Sequence, residues 1–442
     1  MKVLFENVFF KMGMILVLIL ILLIPAVMVQ DLIQERMMRQ DEAIVEVSSK
    51  HAGDQLFTGP ILTIPYWTPK QVKNSDGSYK EIREQHYYHI LPEALIVNGT
   101  VTPEKRQRGI FEVVVYGSKL KVDGFFDNYA FENEGITAEN IELDKAFVSI
   151  GISDLKGITE QVDLKMNDSV VMFNPGLISS QILGSGLHIR FPLKEMPKKM
   201  EFSFDLSLNG SERLIFTPIG KVTNVNLDSK WTEPSFDGSF LPSTRKVSDK
   251  GFSANWKVLH LNRNYPQSWS DDKHSLSGSQ FGVNLKLPVD VYQKSMRVAK
   301  YALLFIVLTY LVFFFVEILN KILIHPIQYI LVGIALVLFY VLMLAFSEQL
   351  YFDLAYILAA LMTIGLIFLY CRSILKSWGL AAMTGAILTI LYGFIFVIIQ
   401  IQDYALLFGS LGIFLILAVT MYFSRKVDWF SVGGTKDEKI EE

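Results

Sequence analysis

The sequence predicts a membrane protein of α+β class: one N-terminal transmembrane helix, a large β-rich domain of antiparallel, sandwich-like build, and a C-terminal bundle of five transmembrane helices. Three observations predict it. Apolar residues are 51% of the 442, close to the norm for a soluble chain, yet they are concentrated at the two ends. Long uncharged runs recur there at the length a bilayer requires. Between them the grammar changes to short alternating runs punctuated by Gly, Pro, Asn and Asp.

Met12 to Val29 carries no formal charge over 18 residues, and a helix of that length rises far enough to cross a hydrocarbon core about 30 Å thick. Lys2 and Lys11 also fit the basic start of a cleavable signal peptide. The apolar run is longer than such a segment uses, and Val29-Gln30-Asp31 lacks the small residues of a cleavage site. Retention as an anchor is the expectation.

From Val298 onward, apolar runs at 298–316, 327–346, 354–371, 379–399 and 405–423 add five spans. With the N-terminus in the cytoplasm, the short breaks carrying Lys321, Arg372 with Lys376, and Arg425 with Lys426 all fall inside. The breaks at 347–353 and 400–404 hold no Lys or Arg and fall outside. That is the positive-inside pattern. Arg36, Arg39, Arg297 and Lys300 run against it, but they flank a long exported segment, where the rule is weak. The expected organisation is 1–30 for the cytoplasmic start and first helix, 31–297 for the exported domain, 298–425 for the bundle and 426–442 for a cytoplasmic tail.

Within 31–297, Met200, Phe202, Phe204, Leu206 and Leu208 alternate with Glu201, Ser203, Asp205 and Ser207, the pattern of a strand with one buried face. Phe252, Ala254, Trp256 and Val258 repeat it, as do Phe111, Val113 and Val115. Asn209-Gly210 followed by Arg213 to Thr217 predicts a hairpin, and Asp76-Gly77 and Asp237-Gly238 predict turns. A helix over Asp31–Ser48 is the one amphipathic candidate. The length allows one domain or two.

The domain holds 34 acidic and 31 basic residues without long blocks of either sign, unlike a nucleic-acid binder. The single cysteine, Cys371, lies in the bundle, so burial and not a disulfide must stabilise the exported part. His86 and His89 sit three apart, which puts them on opposite faces of a strand, and strand-like neighbours argue against a shared metal. His188, His260 and His274 have no motif partner, and no nucleophile, zinc or phosphate-loop motif occurs. No cofactor is expected. A catalytic site assembled from distant residues stays open.

Ionisable residues at span ends are more informative, because charge in hydrocarbon is costly. Glu317 and His325 either form a pair that relays protons or holds a ligand, or cap the ends of adjacent spans with Pro326 in the first turn. Glu348, Asp353 and Asp403 stay hydrated at the outer mouth or pair with Arg36, Arg39, Arg297 or Lys300. Ala381, Gly385, Thr389 and Gly393 recur every four residues, and Tyr329, Gly333, Tyr340 and Ser347 share a stripe, both read as helix-packing faces.

With these residues in view, the chain resembles the CreD family along nearly its whole length. The most specific stretch runs from Glu317 through His325-Pro326-Ile327-Gln328-Tyr329 to Gly333, Phe339-Tyr340 and Ser347-Glu348. Thr58-Gly59-Pro60, Ile64-Pro65, His89 to Glu93, Pro234 to Pro242, Gly251-Phe252 to Trp256, Leu391-Tyr392-Gly393, Asp403 to Leu407 and Arg425 to Trp429 extend it. The resemblance implies a multi-pass protein of the bacterial inner membrane with a periplasmic domain, tied to envelope integrity and stress tolerance. It supplies no catalytic residues. The functional expectation is a non-enzymatic envelope protein, set in the lipid bilayer, whose β domain binds a cell-wall, lipid or protein partner and not nucleic acid. The alternative is a membrane enzyme or transporter for a lipid or wall precursor. Candidate functional residues are Glu317, His325, Gln328, Tyr329, Glu348 and Asp403.

Overall fold

The computed structural model describes residues 8–73, 75, 79–127, 136–285, 291–320, 322–401 and 404–425. Two compact units emerge: a helical one from Met1–Gln40 and Val289–Glu442, and a β-rich one from Asp41–Pro288.

The helical unit opens with α1, Val8–His51, 44 residues in length. The expected anchor and the helix over 31–48 are thus one continuous element. Pro25 lies inside it, and the Gln, Glu, Arg and Met residues after Asp31 are good helix formers that give the chain no reason to stop. Ile15, Leu18, Leu22, Ala26, Val29 and Ile33 are buried at helical spacing, while Leu16, Leu20, Ile24 and Met28 are more than half exposed. An apolar surface of that kind is stable only against lipid.

The remaining helices are α2 (Val291–Lys300), α3 (Ala302–Asn320), α4 (Pro326–Ser347), α5 (Phe352–Leu375), α6 (Trp378–Gln400) and α7 (Ala405–Ser424). Among the described residues, α1, α3, α4, α5 and α6 are long and apolar enough to cross a membrane, and α7, 20 residues in length, carries a shorter apolar stretch over Leu407–Tyr422. The run expected over 298–316 is divided at Tyr301 between α2 and α3. On α6 the buried positions include Ala381, Gly385, Leu388, Tyr392 and Ile395. Thr389 and Gly393 face outward, because a four-residue repeat advances about 40° past a full turn at each step and drifts off a packing face. Tyr329, Gly333, Tyr340 and Ser347 are all buried on α4 as the stripe predicts.

The β unit is a pair of facing sheets. One has eight strands in the order Thr244–Ser248, Gly251–Leu259, Val222–Ser229, Ala94–Arg108, Phe111–Asp127, Lys199–Ser211, Asp163–Met166 and Ser169–Met172. The other has nine strands centred on Gln55–Lys73, flanked by Arg213–Phe216, Phe147–Ile152 and Tyr79–Ile90. Pairing is antiparallel except where Gln55–Phe57 meets Leu214–Phe216 and where Val222–Ser229 meets Ala94–Val101. One hydrophobic core lies between the sheets, from Phe57, Leu62 and Ile64 on one side to Phe204, Leu206 and Trp256 on the other. The β unit is therefore one domain.

Met200, Phe202, Phe204, Leu206 and Leu208 all face that core, each at most 4% exposed. The hairpin expected at Asn209-Gly210 does not form. The strand runs straight through both residues, pairing up to Ser211 opposite Val115. Gly210 serves a close approach, since a Cβ there would lie 2.4 Å from the Tyr116 hydroxyl. The chain turns instead at Glu212, whose φ is 54°, and Arg213–Phe216 joins the opposite sheet. Asp237-Gly238 ends the strand Ser235–Gly238, with Gly238 at φ 103°. Asp76-Gly77 lies outside the described residues, between two strands that pair from Leu62 opposite Ile90 to Lys73 opposite Tyr79.

Candidate functional site

Among the described residues, Glu317 is the candidate carboxylate that the fold takes fully out of solvent. It sits one turn before the end of α3 and is 2% exposed. Lys11, near the start of α1 and 7% exposed, donates to Glu317 Oε1 at 2.6 Å. The backbone N–H of Ile324 donates to the same oxygen at 3.1 Å, and the Tyr329 hydroxyl donates to Oε2 at 2.8 Å. Both carboxylate oxygens are thereby occupied. Tyr310 donates from its hydroxyl to the Tyr329 carbonyl at 2.6 Å, tying α3 to the first turns of α4.

Close approach of α1 to α4 depends on Gly333. A Cβ there would stand 2.1 Å from Leu22 and 2.3 Å from the Tyr310 hydroxyl. An ion pair in such surroundings loses hydration on both sides, and only additional hydrogen bonds of the kind Tyr329 and Ile324 supply make it tolerable. Its chemistry is that of a latch: three donors converge on one carboxylate and draw α1, α3 and α4 together.

His325 does not join Glu317. It is the N-cap of α4, where its ring accepts from the Ile327 N–H, while the Gln328 side chain accepts from the His325 N–H at 2.9 Å. That is a capping box, with Pro326 in the first turn. Glu348 follows α4 and lies 3.4 Å from the Arg36 guanidinium, its side chain 16% exposed. Asp353 accepts from Gln400 at 2.6 Å, and Asp403 lies outside the described residues. The candidates therefore separate into two groups at opposite ends of the helices. Lys11, Glu317 and the α3–α4 loop mark one end. Gln30, which donates to the Ala299 carbonyl, and the Arg36–Glu348 and Asp353–Gln400 contacts mark the other.

Lys11 is the partner that a linear reading misses, because it counts as the basic lead-in to the span. The available signal is a lysine flanked by Phe9, Phe10 and Met12 in a chain with an uncompensated glutamate at another span end.

In the β unit, His86 bonds Asp271 at 2.7 Å through Nδ1 and Thr68 at 3.0 Å through Nε2. His89 bonds Thr63 and Gln181. Burial pushes His89 down to about 4, so it is neutral near pH 7 and acts as a hydrogen-bonding core residue. Burial alone would raise the Asp271 carboxyl, but the Tyr87 N–H and His86 outweigh it and leave it below the usual range. Among the described residues, no three His, Cys, Asp or Glu side chains are grouped to hold a metal.

A family model described as "Inner membrane protein CreD" matches residues 7–430, which takes in every helix and both sheets. The chain belongs to the CreD family. It is 32% identical over 438 residues to Inner membrane protein CreD of Escherichia coli strain K12, covering 98% of this chain and 96% of that protein. For a CreD protein the two-unit architecture has a direct meaning: the helical unit resides in the lipid bilayer, as an inner-membrane protein requires.

Proposed function

We propose that this CreD protein holds its β unit in the periplasm, with both termini cytoplasmic, and that the β unit binds an envelope component and so contributes to envelope integrity under stress. The observation that carries this reading is the path of the chain through the helical unit. Lys11 meets Glu317 at one end, and Gln30 meets Ala299 at the other. The chain thus passes out of the helical unit within α1, after Gln40, and re-enters it ahead of α2, at the end opposite its start. The helix ends and loop on the Lys11 side hold Arg372, in the last turn of α5, Lys376 and Arg425, whereas 347–353 and 400–404 contain no Lys or Arg. Positive-inside bias assigns the first end to the cytoplasm.

The anchoring role of the helices is supported by the closure of Glu317, which has donors on both oxygens, and by the separation of Glu348 from it. A transport or catalytic role would draw on carboxylates that converge on a shared space.

Photo-crosslinking residues placed at exposed β-unit positions such as Lys121, Leu241 and Leu261 test the reading in living cells. Expected is a discrete adduct at one cluster of positions, with loss of envelope-stress tolerance when that cluster is substituted. No adduct from any face, together with unchanged tolerance across the same substitutions, contradicts it.

A further inference from the structure

One groove of the β unit is built to attract negative charge. It has a volume of about 430 Å³ and is lined by Lys230, Lys246 and Lys250, by Thr100, Thr102, Ser229, Ser248 and Ser253, and by a single carboxylate, Asp228. Its shape follows from the local fold. Ser248 pairs with Gly251 across the two-residue turn Asp249-Lys250, and Gly251 adopts φ 125°. A Cβ on Gly251 would lie 2.0 Å from the Ser229 carbonyl and 2.7 Å from the Lys230 Cα. Only glycine lets the turn come this close, and the approach brings Lys230 and Lys250 to the same rim.

Some exposed lysines elsewhere on this domain are neutralised, Lys70 by Glu84, Lys105 by Glu112, Lys145 by Glu142, Lys199 by Glu201 and Lys221 by Glu93, and others such as Lys121 and Lys165 stand singly on open strand faces. What sets the groove apart is three lysines lining one concavity. Among the described residues no carboxylate lies within ion-pair distance of the groove lysines. A second cavity of about 290 Å³ contains Arg213, but Asp54 bonds that guanidinium at 2.5 Å. Uncompensated like charges gathered at one concavity raise the local concentration of anions. The groove has no exposed aromatic side chain to stack a sugar or base, so recognition falls to charge and hydroxyl donors.

We propose that this groove binds a ligand carrying closely spaced phosphoryl groups, held by Lys230, Lys246 and Lys250 as point charges and by the surrounding hydroxyls as donors. The inference rests on the reading of the β unit as a binding domain and names its ligand chemistry. The probes are inorganic pyrophosphate and dihexanoyl phosphatidic acid below its micelle concentration, titrated into the full-length protein in zwitterionic-lipid nanodiscs. Expected is saturable binding that weakens as salt rises, and that falls about tenfold in the Lys230→Ser, Lys246→Ser, Lys250→Ser triple variant. Lys165→Ser, an exposed site on another strand, should leave it unchanged. Tighter pyrophosphate binding marks a free or polymer-borne phosphate, and tighter binding of the lipid marks a headgroup. Absence of binding by both probes, or equal binding by the triple variant, overturns the inference. If crosslinked adducts from the β unit persist in that case, the broader binding reading stands and only the phosphoryl assignment falls.

Discussion

Glu317→Ala is expected to destabilise the helical unit by about 3–5 kcal/mol, because it leaves the Lys11 ammonium buried without its counter-charge. Lys11→Ala should cost a similar amount from the opposite side, stranding a carboxylate that is 2% exposed. The pair itself is a different matter. Replacing both charges by apolar residues of like size, Lys11→Met with Glu317→Leu, should come close to neutral, since desolvation offsets most of what a buried pair gains. Exchanging the charges, Lys11→Glu with Glu317→Lys, should recover part of the single-variant loss. Tyr329→Phe removes one hydrogen bond to a charged group and should cost about 1.5–3 kcal/mol. Thermal unfolding of the detergent-solubilised protein reads the series. Single variants as stable as the parent would mean the pair is solvated and latches nothing.

The second large effect concerns Trp256. Its ring is 0% exposed and lies 5.6 Å from Phe236 and 5.7 Å from Phe281, which belong to the opposite sheet. Its indole N–H donates to the Phe240 carbonyl at 3.1 Å. Trp256→Ala therefore opens a cavity where the sheets meet and should cost about 3–5 kcal/mol. Trp256→Phe keeps the packing surface and loses the hydrogen bond, so it should cost clearly less. Protease susceptibility of the β unit in the intact protein distinguishes them. Equal resistance of the alanine variant and the parent would show that this ring is not part of the core.

Strand grammar was legible in the sequence wherever one face is wet: Met200 to Leu208 and Phe252 to Val258 declare their buried sides by alternation alone. The spans were legible by length. Less visible was anything decided by contacts distant in sequence. Asn209-Gly210 has the composition of a hairpin turn, but its glycine answers to Tyr116, on a neighbouring strand. Which face of an all-apolar helix packs inward is also hidden, because lipid and protein interior ask for the same residues. Of the candidate site, Glu317 was readable as a charge at an apolar boundary, and Tyr329 as part of a packing stripe and of the family resemblance. The partner of Glu317, Lys11, was not, since 306 residues separate the two and a lysine before a span has an ordinary explanation. His325 and Gln328 stand as a cap, a role that the place of His325 directly before Pro326 suggested for the histidine and that nothing suggested for Gln328.

The central claim, a helical unit whose two ends face opposite compartments with the β unit on the outer one, is most directly tested by impermeant maleimide labelling of single cysteines. In a background lacking Cys371, Lys121→Cys reports on the β unit and Lys376→Cys on the loop between α5 and α6. Intact spheroplasts should label Lys121→Cys at once and Lys376→Cys only after the membrane is permeabilised. Labelling of Lys376→Cys in intact spheroplasts, with Lys121→Cys protected until permeabilisation, would contradict the account.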